Sequence, residues 1–162
     1  MMVRRRQVAV SGGGTDPPGD VLDAAEEVGR RLADAGITLV CGGLGGVMEA
    51  AARGAAGAGG EVMGIVPSAE PGDANPYCTH VVATGIGQAR NLAVVASGDA
   101  VVAIGGEWGT LSEIAYARRL GRPVIALRTW TVRGIGPMED APGIVPASSP
   151  ADAVDAVRSA IG

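Results

Sequence analysis

The chain has 162 residues, 47% hydrophobic and 19% charged, with a net charge of −4; this is the balance of a globular protein with a sizeable core, and it disfavours a general electrostatic grip on nucleic acid. All 13 basic residues are arginine, which excludes a Walker-type phosphate loop and a pyridoxal Schiff base, since both need lysine. His80 is the sole histidine and Cys41 and Cys78 stand in no metal-ligand spacing, so no metal site is expected and a reduced, cytoplasmic setting is.

Met1, Met2, Val3 and Arg4 to Arg6 lead straight into Val8-Ala9-Val10, a buried strand, so no signal peptide is expected. No apolar run reaches the roughly 18 residues of a membrane span. Ser11-Gly12-Gly13-Gly14 follows the strand, and Asp20 is placed to cap the next helix. That helix carries Val21, Ala25, Val28 and Leu32 on one face and closes at Gly36. Ile37 to Val40 is a second strand, opening into Cys41-Gly42-Gly43-Leu44-Gly45-Gly46 and then an alanine-rich helix from Val47 to Ala58. Glu61 to Val66 is a third strand, and Pro67 to Pro76 is a loop of the kind that hangs over a site.

Val81 to Ala83 is a short fourth strand, followed by a helix from Gln88 to Ala96 with Arg90 and Asn91 on its first turn. Two readings of Arg90 are open: a phosphate ligand, or a solvated surface arginine. The continuous apolar run Ala100 to Ile104 suits a strand buried on both faces. Gly105, Gly106 and Gly109 make a turn, and Thr110 with Glu113 matches a capping box at the start of a helix through Ile114, Ala117 and Leu120. Val124 to Leu127 is a further strand, Arg128 to Pro142 reads as irregular, Ile144-Val145 as an edge strand, and Pro150 to Ile161 as a final helix.

Alternating strands and helices predict an α/β fold: one domain over residues 1–162, doubly wound around a mostly parallel sheet, as a Rossmann-like three-layer sandwich. The turns at 12–14, 42–46 and 105–109 all follow strands and share the carboxyl edge, where such sheets bind ligands. A helix starting beyond a glycine turn offers unpaired N–H groups and a positive dipole end to an anion. The candidate ligand or phosphate-binding residues are therefore Gly12, Gly13, Gly14, Gly42, Gly43, Gly45, Arg90, Asn91, Gly105, Gly106, Gly109 and Thr110. An NAD fingerprint is not matched: Gly43-Leu44-Gly45 has no third glycine at Met48 and follows the second strand.

Four segments carry a family resemblance: Gly42 to Ala52, Val62 to Pro67, Ala89-Arg90-Asn91 and Gly105 to Glu113. On these the chain resembles the Rossmann-like nucleotide-binding proteins of the LOG superfamily, named for the "lonely guy" cytokinin-activating phosphoribohydrolases. Resemblance to those hydrolases implies catalytic roles for Arg90 and Glu113 in cleaving the N-glycosidic bond of nucleoside 5'-monophosphates. Ile104 in place of proline, one extra residue before Gly109-Thr110, and Asn91 in place of lysine depart from that branch. They are similar instead to the DNA-processing-related proteins and the molybdenum cofactor carriers, which implies a binder of a phosphorylated nucleotide-like or pterin ligand. The cofactor would then be cargo, with no cofactor required for activity. The likeness also implies a homodimer or higher oligomer. The low aromatic content offers no stacking platform for DNA, so nucleic acid is not an expected partner.

Overall fold

The computed structural model describes residues 3–162. Met1 and Met2, read above as part of the lead-in to the first strand, lie outside the described residues. Within them, one seven-stranded sheet takes in β1 (Gln7–Gly12), β2 (Thr38–Cys41), β3 (Val62–Val66), β4 (His80–Ala83), β5 (Ala100–Ile104), β6 (Val124–Leu127) and β7 (Ile144–Ala147). The order is β4-β3-β2-β1-β5-β6-β7 and every pairing is parallel, sharper than the mostly parallel sheet expected. The helices are α1 (Gly19–Asp34), α2 (Val47–Gly57), α3 (Arg90–Ser97), α4 (Trp108–Arg119) and α5 (Pro150–Ile161).

Alternate residues of each central strand feed opposite cores, as the two-residue pleat requires. Val8, Val10, Leu39, Val102 and Ile104 meet α1, α2 and α5 on one face. Ala9, Val40, Val101 and Ala103 meet α3 and α4 on the other. The chain runs outward from β1 to β4 and returns to β5 on the other side of β1. The strand order reverses there, which opens a crevice at the carboxyl ends of β1 and β5.

On the far face α1 and α2 are in backbone contact. A Cβ on Gly29 would lie 1.9 Å from the Ala51 carbonyl oxygen, and one on Gly54 would lie 1.9 Å from that of Glu26. Only hydrogen fits at these two positions, so Gly29 and Gly54 are packing residues.

Two of the expected caps are corrected. α1 begins at Gly19 with Pro18 in the cap position and no side-chain cap. Asp20 lies in the first turn instead, near the positive helix end, and accepts a hydrogen bond from Arg128 at 2.8 Å. α4 begins at Trp108 with Glu107 in the cap position, so Thr110 is the third helical residue and makes no capping box with Glu113. A side-chain cap does form at α5, where Ser149 Oγ accepts from the Asp152 N–H at 3.1 Å. The edge strand β7 runs on through Pro146, a residue tolerated at an edge because it need not donate to a ladder.

Candidate functional site

A cleft of about 720 Å³ opens at the carboxyl ends of the central strands, a size suited to a small-molecule ligand. Its wall is made by Ser11 and Gly12 at the end of β1 and Gly13 to Thr15 beyond it, Gly42 and Leu44 beyond β2, the start of α3 around Arg90 and Asn91, and the start of α4 from Glu107 to Thr110. Ser112, Glu113 and Tyr116 continue the wall along α4.

Among the expected binding residues the structure brings Gly12, Gly13, Gly14, Gly42, Arg90, Asn91, Gly109 and Thr110 to this wall. Gly43, Gly45, Gly105 and Gly106 lie off it. Gly43 (φ 75°) packs on Gly64 and Val66, and its carbonyl accepts from the Asn75 N–H at 2.7 Å. Asn75 Nδ2 donates to the Leu44 carbonyl at 3.0 Å. The 67–76 loop is thereby tied to the β2 turn, and none of its residues lines the cleft. Gly105 and Gly106 (φ 56° and 114°) swing the chain from β5 into α4, held by a hydrogen bond from the Thr129 hydroxyl to the Gly105 carbonyl.

The two glycine-led helix starts have separate fates. At α2 the Val47 N–H donates to the Gly13 carbonyl at 3.0 Å, so the β1 loop itself occupies that end. The α4 start borders the cleft with Trp108, Gly109 and Thr110, whose N–H groups have no acceptor within the helix.

Arg90 faces this helix start from α3 and is 4% exposed. Its Nη1 donates to Asn91 Oδ1, while its Nε has no partner among the described residues. Gly42 makes room for the guanidinium, since a Cβ there would lie 2.7 Å from Arg90 Nη2. Burial draws the Arg90 pKa below its ordinary value, opposed by the charges of Glu113 and Cys41. Arginine stays protonated nonetheless, so the cleft holds a buried cation with a free donor.

Glu113 is 7% exposed and accepts a hydrogen bond from the Ser11 hydroxyl. Burial pushes its carboxyl pKa up, against the Ser11 hydrogen bond and the Arg90 charge. The exposed Glu107 carboxylate approaches Gly13, whose missing Cβ would lie 3.3 Å from Glu107 Oε1. An anion is therefore favoured at the Arg90 end of the cleft and disfavoured at the Glu107 end.

Sequence reasoning missed Ser11, Trp108 and Tyr116. Ser11 carried a signal, being the one polar residue between an apolar strand and a glycine run. Trp108 is 76% exposed and stands against Trp130, ring centroids 5.1 Å apart.

Sheet order, layering and a cleft at the reversal point define an α/β protein of the Rossmann-like class. Within that class the chain belongs to the SLOG cluster4 family, whose model matches residues 5–154. It is 41% identical over 122 residues to an uncharacterized protein of Archaeoglobus fulgidus, covering 75% of this chain and 80% of that one.

Among solved structures, the molybdenum cofactor binding protein from Rippkaea orientalis superposes with a TM-score of 0.89 at 32% identity, covering 99% of this chain and 100% of that one. The molybdenum cofactor carrier protein from Chlamydomonas reinhardtii gives 0.84 at 30% identity, covering 98% and 99%. DNA processing protein A from Helicobacter pylori, at 17% identity and a TM-score of 0.72 over 95% of this chain and 80% of that one, shares the fold. The resemblance read from the sequence segments thus holds at the level of family and fold. No helix among the described residues is long and apolar enough to cross a membrane.

Proposed function

We propose that the protein binds a phosphorylated pterin or nucleotide-like ligand in the cleft, in the manner of a molybdenum cofactor carrier. The observation that carries this reading is Arg90, a buried guanidinium whose Nε lacks a partner beside a helix start that offers free N–H groups. A buried donor without an acceptor is costly, and the guanidinium that carries it lines the cleft, where its charge favours a phosphate. The likeness of the whole chain to carrier structures at 30–32% identity supports the pterin. Gly13 and Gly14 give backbone close approach, and Asn91 holds Arg90 in place.

Anaerobic incubation with molybdenum cofactor released from a molybdoenzyme, followed by gel filtration and oxidation to the fluorescent pterin, tests the reading. Co-elution is expected, with a loss of about tenfold or more in Arg90→Ala, as for a hydrogen bond to a charged group. Elution of the protein free of pterin would overturn the carrier reading.

A second reading is favoured by one observation, the buried Ser11–Glu113 hydrogen bond. A carboxyl with a raised pKa suits a general acid in cleaving an N-glycosidic bond, with Arg90 holding the 5'-phosphate. Release of free base from AMP or GMP by the wild type, and its loss in Glu113→Gln, would identify a phosphoribohydrolase.

Likeness to the family supports a homodimer or higher oligomer; light scattering at twice the chain mass or a higher multiple is the expected result. The free thiols of Cys41 and Cys78 support a reducing, cytoplasmic setting.

A further inference from the structure

The chain has two tryptophans, two tyrosines and no phenylalanine. Tyr77 lies under Arg53, whose Cζ is 5.9 Å from its ring centroid. The other three aromatics gather at the mouth of the cleft. Trp108 and Tyr116 line it, and Trp130 backs Trp108 at a tilt of 38°. Trp130 is itself held by donating from Nε1 to the Glu107 carbonyl at 3.1 Å.

Leaving a tryptophan 76% exposed forfeits burial of the largest apolar side chain available to the fold. Trp130 covers Trp108 from one side, and the opposite side stays open at the cleft mouth. Trp108, Ser112 and Tyr116 follow at four-residue spacing on α4, so they form a stripe about 12 Å long on one helix face. The cleft is also far larger than a phosphate alone needs.

We infer that Trp108 is the platform on which a planar heteroaromatic ring of the ligand stacks, while its phosphate lies against Arg90 and the start of α4. This inference rests on the anion-site reading above and adds the chemistry of the ligand's other end. Trp130 positions the platform through its ring contact and its hydrogen bond to Glu107. The ligand class is then a ring-bearing phosphate, as in a purine nucleotide or pterin phosphate, in preference to a sugar phosphate.

The test is isothermal titration of the full chain with GMP and with ribose 5-phosphate, which differ by the ring alone. The wild type is expected to prefer GMP, and in Trp108→Ala the ratio of the two affinities falls about tenfold, in line with base–aromatic stacking. Trp108→Phe keeps most of the ratio, and Arg90→Ala weakens both ligands together. Circular dichroism confirms that the variants fold, as expected for an exposed side chain. An unchanged ratio in Trp108→Ala, or equal wild-type affinities, would overturn the stacking role and leave the anion site standing. Absence of binding to both ligands would overturn the anion site and this inference with it.

Discussion

Two glycine-rich regions of this molecule use the missing Cβ for opposite ends. At the α1–α2 crossing, Gly29 and Gly54 remove a side chain so that backbone can touch backbone, and nothing else fits between. At the cleft, Gly13 and Gly14 remove a side chain and leave the space open, with a nearest approach of 3.3–3.4 Å by the tips of Glu107 and Met48. A glycine count alone is therefore silent on binding. What separates the two uses is whether the neighbour is rigid backbone or a movable side-chain end.

Substitutions sharpen this contrast. Gly54→Ala is expected to show the largest effect, a loss of about 3 kcal/mol in urea unfolding, because a Cβ 1.9 Å from the Glu26 carbonyl oxygen forces the helices apart. Helix propensity alone would favour alanine by about 1 kcal/mol, so a stabilised variant would break the packing account. Ser11→Ala comes next, costing about 1–2 kcal/mol because the buried Glu113 carboxyl loses its donor. Gly14→Ala is expected to leave the unfolding midpoint within about 0.5 kcal/mol while weakening ligand binding, since its Cβ points at the movable Met48 methyl. Glu107→Gln removes the carboxylate near Gly13 and should tighten ribose 5-phosphate by a few-fold, the scale of about 0.5–1 kcal/mol for an exposed charge.

The two regions also carry carboxylates of opposite linkage. Glu113 at the cleft has its folded-state pKa raised by burial, so the folded state holds its proton more tightly than the unfolded chain. Its contribution is fully present below the unfolded pKa and is lost as pH rises through the folded one. The stability of Glu113→Gln relative to wild type should thus grow as pH climbs above the ordinary carboxylate range, read by thermal unfolding at stepped pH. Glu27 on α1 is held at about 2, first by its hydrogen bond with Arg30 and then by Arg31. Its contribution is present at neutral pH and disappears as pH falls toward that value. Being partly exposed and screened by solvent, this pair contributes little, and Glu27→Gln should shift the midpoint only slightly and only above its folded pKa.

Much of the architecture was legible because strand and helix periods do not overlap. The runs at Val8–Val10 and Ala100–Ile104 are short, valine-rich, apolar on every residue and closed by glycine turns, as a strand covered on both sides requires, and β1 and β5 are the strands that flank the cleft. Arg90 could be read as a candidate from its place after the fourth strand, but its burial could not, because that depends on Gly42 from a distant segment. The Thr110–Glu113 spacing pointed to a cap, whereas Glu113 is engaged by Ser11, 102 residues away. Local pattern cannot see such a partner. The β2 glycines read as a ligand loop for the same reason: Asn75, which donates to the Gly43 carbonyl, and the Gly13 carbonyl, which takes the Val47 N–H at the end of the turn, come from elsewhere in the chain.

Trp108 and Trp130 are the only tryptophans of the chain, and they share one location with ring centroids 5.1 Å apart. The intrinsic emission of this protein is consequently a local spectroscopic signal, from a coupled indole pair at the cleft mouth. An emission change during denaturation reports the separation of the Trp108–Trp130 rim, and only a far-ultraviolet signal reports loss of the sheet. Should the rim loosen first, the two curves would separate along the denaturant axis, and their gap would measure the local opening free energy at the entrance.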